Sequence, residues 1–130
     1  MGRHAMHHPV GIVLFAHGSR DAGWRAPIEA VRAEIERSRP GVQVRCAYLE
    51  LCEPDLAQAS RSLHAAGVRT LTIVPMFLGT GRHARDDLPL LVAALRAQHP
   101  DMSIEVQEAV GENPRMTALM AEIACGGPPI

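Results

Sequence analysis

Apolar residues run almost unbroken through V-G-I-V-L-F-A, residues 10–16, and then give way to the polar His17-Gly18-Ser19-Arg20. A short, β-branched run of that kind predicts a strand covered on both faces. Beyond it the period changes. Ile28, Val31 and Ile35 recur at helical spacing with Arg32, Glu34, Glu36 and Arg37 facing water, so a helix starts near Pro27 and stops at Pro40-Gly41. The alternation repeats. Residues 42–50 predict a second strand, and a second helix runs from Pro54 to about Ala65, with Leu56 and Leu63 on one face and Gly67 ending it. Residues 68–75 predict a third strand. After a loop, Asp86 or Asp87 caps a third helix over 88–98, whose buried stripe is Leu88, Leu91, Val92 and Leu95. Residues 103–109 alternate as a half-buried edge strand, and Pro114 opens a last helix to about Ala124.

Strand and helix alternating four times imply βαβ units, right-handed crossovers and a parallel sheet with helices on both faces. The expected fold is therefore α/β: a single doubly wound domain over residues 10–125, with strand order 2-1-3-4. A disordered tail at 1–9 and a frayed end at 126–130 complete the chain. Such folds bind ligands beyond the carboxyl ends of the strands, where the winding reverses. Here that place lies between strands one and three.

Composition narrows the choice of partner. The chain has 130 residues, which fits one domain. Aromatics are only 3%, so the core is expected to rest on Ala, Val, Leu and Ile. Net charge is -1 and no long block of like charge occurs, which argues against nucleic acid and against a polybasic membrane patch. No apolar run approaches the ~18 residues of a membrane span. The start of the chain lacks the apolar stretch of a signal peptide, and His4, His7 and His8 belong to the tail. Cys46, Cys52 and Cys125 are odd in number and not spaced C-x-x-C, which fits a reduced, cytoplasmic protein without a disulfide framework or zinc knuckle.

The chemistry-bearing residues stand just past the strands. His17 follows the first strand, Glu50 ends the second, and His83 lies in the loop after the third. Two imidazoles and a carboxylate on one rim suit a borderline divalent metal such as cobalt, nickel or iron, with coordination positions left open. A neutral imidazole near pH 7 also accepts protons. Taken singly, a histidine after a strand is more often a cap or a hydrogen-bond donor, though such loops are where open α/β folds place their sites. The same loop spells G-x-G-x-x-A with Gly79, Gly81 and Ala84, the loose form of a dinucleotide fingerprint. It is the third such turn rather than the first, it is long, and Glu105 and Glu108 lie further on than the roughly 20 residues that fingerprint asks. Gly79 and Gly81 are read instead as giving a longer loop freedom. Arg82 and Arg85, bracketing His83, are either solvated charge or carboxylate binders. His64 and His99 read as surface residues, His99 at a helix end where a cation suits the dipole. Trp24 either lines the cleft or braces the first helix, and Cys52 reads as a buried bystander.

Three segments together carry a likeness to a known family. F-A-H-G-S-R at 15–20, A-Y-L-E at 47–50 with Pro54 after it, and V-P-M-F-L-G-T-G-R-H-A-R-D-D-L-P at 74–89 resemble the CbiX-type class II tetrapyrrole chelatases in their short form. A-V-G-E-N-P at 109–114 is similar to that family's later G-x-x-P segment, so the likeness covers about residues 10 to 125. The resemblance implies ATP-independent insertion of a divalent metal into sirohydrochlorin, in cobalamin- or siroheme-type tetrapyrrole biosynthesis. Cobalt comes first, with nickel or iron as alternatives. It implies His17 and His83 as the metal-binding and catalytic pair, Glu50 as their acidic partner, and a homodimer. No cofactor is permanently bound, because Co²⁺, Ni²⁺ or Fe²⁺ is a substrate. The tetrapyrrole carries carboxylates on its rim, for which Ser19, Arg20, Arg82, Arg85 and the loop with Gly79 and Gly81 are the expected contacts. Which histidine takes the pyrrole protons stays open. The rival on the same fold is a non-catalytic tetrapyrrole or metal-ion carrier, and the presence of His17, Glu50 and His83 argues against it.

Overall fold

β1 (Val10–Ala16) lies inside a four-stranded sheet of order β2-β1-β3-β4, in which every neighbouring pair is parallel. The computed structural model describes residues 9–127, and of His83 the backbone. Residues 1–8 of the expected tail and 128–130 of the expected frayed end lie outside that description. β2 is Val42–Tyr48, β3 Thr70–Pro75 and β4 Ser103–Val106. Between them run α1 (Ala22–Ser38), α2 (Leu56–Ala65) and α3 (Arg82–Gln98), and after β4 come a 3-10 turn (Val110–Glu112) and α4 (Pro114–Ala124). The α/β fold and strand order are those the sequence predicts.

The two-residue period of the strands makes two cores. Val13, Phe15, Leu71 and Ile73 face α2 and α3, where Leu56, Leu63, Val92 and Leu95 meet them. Leu14, Ala16, Val44, Cys46 and Tyr48 face the other way, against Ile28 and Ile35 of α1. The few aromatics are concentrated here: Phe15, Tyr48 and Phe77 are all buried, while Trp24 is exposed. Burial pushes the Cys46 thiol up to about 12, with the nearby Glu29 carboxylate adding to the effect, so it stays protonated. The Tyr48 hydroxyl, also raised by burial, donates to Glu29 Oε2 at 3.3 Å.

Two helices start well before the sequence reading placed them. α1 begins at Ala22, more than a turn ahead of Pro27, because Asp21 caps it by accepting the Gly23 N–H at 2.9 Å. α3 begins at Arg82, two turns ahead of Pro89, with Gly81 as its N-cap in place of Asp86 or Asp87. Both prolines sit inside their helices on exposed positions, where solvent serves the carbonyl that loses its donor. α2 opens on a capping box between Asp55 and Gln58 just after Pro54, and Gly67 follows its end at φ +95°. α4 packs beside the 3-10 turn and buries none of its residues.

Candidate functional site

Hydrogen bonding between the first two strands continues past their ends. Leu49 N–H donates to Ala16 O at 2.9 Å, and Glu50 N–H donates to His17 O at 3.0 Å. His17 and Glu50 therefore leave the sheet side by side, both exposed on its carboxyl-terminal rim. Gly18 permits this. It holds φ +104°, and a Cβ there would lie 1.9 Å from Glu50 O and 3.2 Å from Tyr48 Cβ. Any larger residue would push the two loops apart.

The loop then locks into α1. Ser19 Oγ accepts the Asp21 N–H at 3.0 Å, and Arg25 Nη1 donates to Ser19 O at 3.0 Å. On its other side His17 lies over Phe77, with ring centroids 4.4 Å apart and planes inclined at 30°. Phe77 follows β3 directly, held by Met76 N–H donating to Phe15 O at 2.7 Å.

α3 closes the third wall. Its Gly81 cap makes no side-chain hydrogen bond, so the first amides of the helix remain suited to an anionic group. A cavity of about 410 Å³ results, lined by His17, Leu49, Glu50, Gly81, Arg82, Ala84 and Asp87. Among the described residues it gathers one imidazole, two carboxylates and one guanidinium. It is contiguous, through Leu49 and Asp87, with an apolar groove of about 380 Å³ that includes Phe15, Leu56, Leu90 and Leu91. Leu91, expected on the buried stripe, is exposed at this groove. A larger cavity of about 570 Å³ lies beside α4, lined by Gln107, Glu108, Arg115, Met116 and Leu119 among others. Among the described residues it brings no imidazole or thiol to its lining, and the smaller cavity is the better candidate on chemistry.

The expected site residues are distributed unevenly. His17, Glu50, Gly81 and Arg82 line one cavity. His83 lies in the first turn of α3 rather than in a loop; its side chain is outside the described atoms. Arg85 donates to Thr80 O at 3.3 Å and lines a separate cavity with Leu88, Pro89 and Val92. Arg20 and Gly79 are exposed and outside the lining. Neither Gly79 nor Gly81 has a positive φ, and a Cβ at either would meet open space. Cys52 packs with Tyr48 and Cys46 away from the cavity, and Trp24 is likewise outside its lining. Among the described residues no three His, Cys, Asp or Glu side chains gather to hold a metal ion. The trio expected from the sequence includes His83.

Asp87 was missed, because it was assigned to capping. Once α3 starts at Arg82, helical periodicity brings position 87 one turn on from position 83, on the same side of the helix.

The opposite rim holds a second group. His64, at the end of α2, has Nε2 3.0 Å from both Asp101 oxygens, and Arg69 Nε lies 3.2 Å from Asp101 Oδ2. Hydrogen bonding to His64 holds the Asp101 carboxyl below its usual range. His99 stacks on His64 with centroids 4.8 Å apart and is buried, not the surface residue expected. Its Nε2 has no partner among the described residues. Burial lowers its pKa, helped by the neighbouring His64, so the ring is held neutral and is not a cation serving the helix dipole.

Comparison with known proteins adds the following. A CbiX family model matches residues 11–125. The chain is 32% identical over 83 residues to a sirohydrochlorin cobaltochelatase of Methanopyrus kandleri, over 64% of this chain and 58% of that one. It is 26% identical over 115 residues to a sirohydrochlorin cobaltochelatase of Sulfolobus acidocaldarius, over 88% and 89% of the two chains. The crystal structure of a CbiX protein from Marinobacter aquaeolei VT8 superposes with a TM-score of 0.78 at 35% identity, over 90% of this chain and 95% of that one. The match thus spans little more than half the length of the first relative and nearly all of the other two.

Proposed function

Because the chain belongs to the CbiX family, we propose that it inserts a divalent metal ion into sirohydrochlorin. The observation that carries this reading is the pairing of His17 with Glu50 on the carboxyl-terminal rim, in one cavity with Arg82 and Asp87. Insertion exchanges one M²⁺ for the two pyrrole N–H protons of the ring, and the products are the metallated ring and two H⁺. A reaction without ATP is proposed with it.

His17 and His83 act as the metal-binding pair, and Glu50 stabilises positive charge beside them as protons leave the ring. An imidazole is a suitable ligand and a suitable base near neutral pH. Asp87 adds a second carboxylate to the same cavity, suited to an arriving dication or a departing proton. Arg82 and the uncapped start of α3 suit a rim carboxylate of the tetrapyrrole. Ser19, Arg20, Arg85 and Gly79 are left as outer contacts. The apolar groove running from Leu49 to Leu91 offers a surface for the ring's hydrocarbon parts.

Cobalt is the metal proposed, since both sequence relatives described above are cobaltochelatases; imidazole and carboxylate also take nickel and iron. A working homodimer in the cytoplasm is proposed with it. Free Cys46, Cys52 and Cys125 fit a reducing compartment. α4, with no buried residue and with Leu119 and Ile123 exposed, offers a face for a second copy. A light-scattering mass equal to one chain at working concentration would remove the dimer.

The test is anaerobic incubation of the protein with sirohydrochlorin and Co²⁺, Ni²⁺ or Fe²⁺, followed by absorption. Faster insertion than in the protein-free control is expected, greatest with Co²⁺. A rate equal to that control with every metal defeats the proposal. Tight binding of the ring without turnover would favour the carrier.

A further inference from the structure

We propose that Phe77 is a positioning residue for His17, holding the imidazole in the attitude needed to take up and release a metal ion. The proposal rests on the metal-insertion reading for its kinetic consequence, but not for its structural one. Three observations support it. The Phe77 ring is 4% exposed and lies 4.4 Å, centroid to centroid, from the exposed His17 ring at an inclination of 30°. Phe15 meets Phe77 edge-on, with centroids 6.1 Å apart and planes at 62°. The edge-on pair is an arrangement that an aromatic quadrupole favours. One face of the imidazole is therefore backed by a ring that is itself fixed in the core.

Phe77 is also fixed through its backbone. Its carbonyl accepts the Gly111 N–H at 2.9 Å, and a Cβ on Gly111 would lie 1.9 Å from Leu78 O. The 3-10 turn therefore presses directly on residues 77–78. An exposed histidine on a loop samples several staggered rotamers. A fixed ring along one face reduces that set while leaving the edge nitrogens accessible. This ordering matters to a ligand that must accept an ion and then surrender it, because a misdirected lone pair slows the chemical step more than it weakens substrate binding.

The test compares wild type, Phe77→Leu and Phe77→Tyr. His17 ring protons are assigned in the metal-free protein by their loss in His17→Gln. In wild type they are expected upfield, under the Phe77 ring current. Phe77→Leu, which keeps the apolar volume approximately, should return them to the positions of a solvated histidine, and Phe77→Tyr should restore the upfield shift. With cobalt and sirohydrochlorin, Phe77→Leu should lower kcat roughly tenfold with little change in KM, and Phe77→Tyr should recover most of it. His17 resonances unshifted in wild type would overturn the proposal. So would Phe77→Leu and Phe77→Tyr losing rate equally, in step with a lowered Tm. Absence of insertion by wild type, with the ring-current result intact, would instead strike the proposed function and leave the His17–Phe77 arrangement standing.

Discussion

At the carboxyl-terminal rim, His17 and Glu50 stand in an open cavity with Arg82 and Asp87, and the start of α3 beside them has no side-chain cap. At the amino-terminal rim, His64, His99, Asp101 and Arg69 use much the same side-chain types, yet His64, Asp101 and Arg69 are tied to one another and His99 is buried against His64. The first set leaves the sheet where helices begin, so amides and the positive ends of helix dipoles face it. The second set lies where helices end. Asp101 is there to satisfy His64 and Arg69, and His99 is buried against His64. Residue type alone does not separate a site from a structural knot. The direction of the strands does, together with exposure to an open cavity.

Replacement at the two rims should therefore have unlike consequences. The largest is expected for His83→Ala, which should lower insertion about 100-fold or more, the scale at which a positioned base or ligand contributes, with circular dichroism and Tm close to wild type. Next comes Gly18→Ala. Its Cβ would collide with Glu50 O, so the loops of His17 and Glu50 must separate; both rate and Tm should fall. Glu50→Gln and Asp87→Asn should each cost roughly tenfold in kcat/KM, a loss of about 1.4 kcal/mol of transition-state stabilisation, while leaving stability unchanged. An unaffected rate in Asp87→Asn would show that lining the cavity is all it does.

The smallest effect belongs to the other rim and shows in stability. His99 has its pKa lowered below the ordinary 6.5 by burial. Below about pH 6.5 the unfolded chain takes up a proton there that the folded protein refuses. The unfolded state then binds more protons, so stability falls as pH falls through that value. Asp101, depressed by its bond to His64, acts in the same direction only near and below its ordinary 3.8. Tm is expected to decline between about pH 7.5 and pH 5.5 in wild type, and to decline less in His99→Leu. An equal decline in both would remove His99 as the cause.

Much of this molecule was legible in the chain. Continuous apolar strands, helical stripes and turn residues gave the α/β class, and the parallel order 2-1-3-4 followed from their alternation. The rim carrying His17 and Glu50 followed in turn from that order. What misled was the choice of helix starts. Pro27 read as a helix start and Asp86 or Asp87 as a helix cap, yet all three sit inside helices whose true caps are Asp21 and Gly81. That error moved His83 from a helix to a loop and hid Asp87 behind a capping role. His99 was misread because burial at a helix end is decided by packing from α2, which no local pattern contains. Phe77 and Gly111 owe their interest to contacts between segments far apart in the chain, and spacing does not carry such contacts.

The claim that metal insertion belongs to one rim and not the other reduces to a single comparison. Cobalt insertion into sirohydrochlorin is followed by absorbance for wild type, His17→Ala and His64→Ala under identical anaerobic conditions. The rate should collapse in His17→Ala and stay at the wild-type value in His64→Ala, whatever that variant loses in Tm. Equal rates in wild type and His17→Ala, or a collapse in His64→Ala while it remains folded, would contradict the assignment.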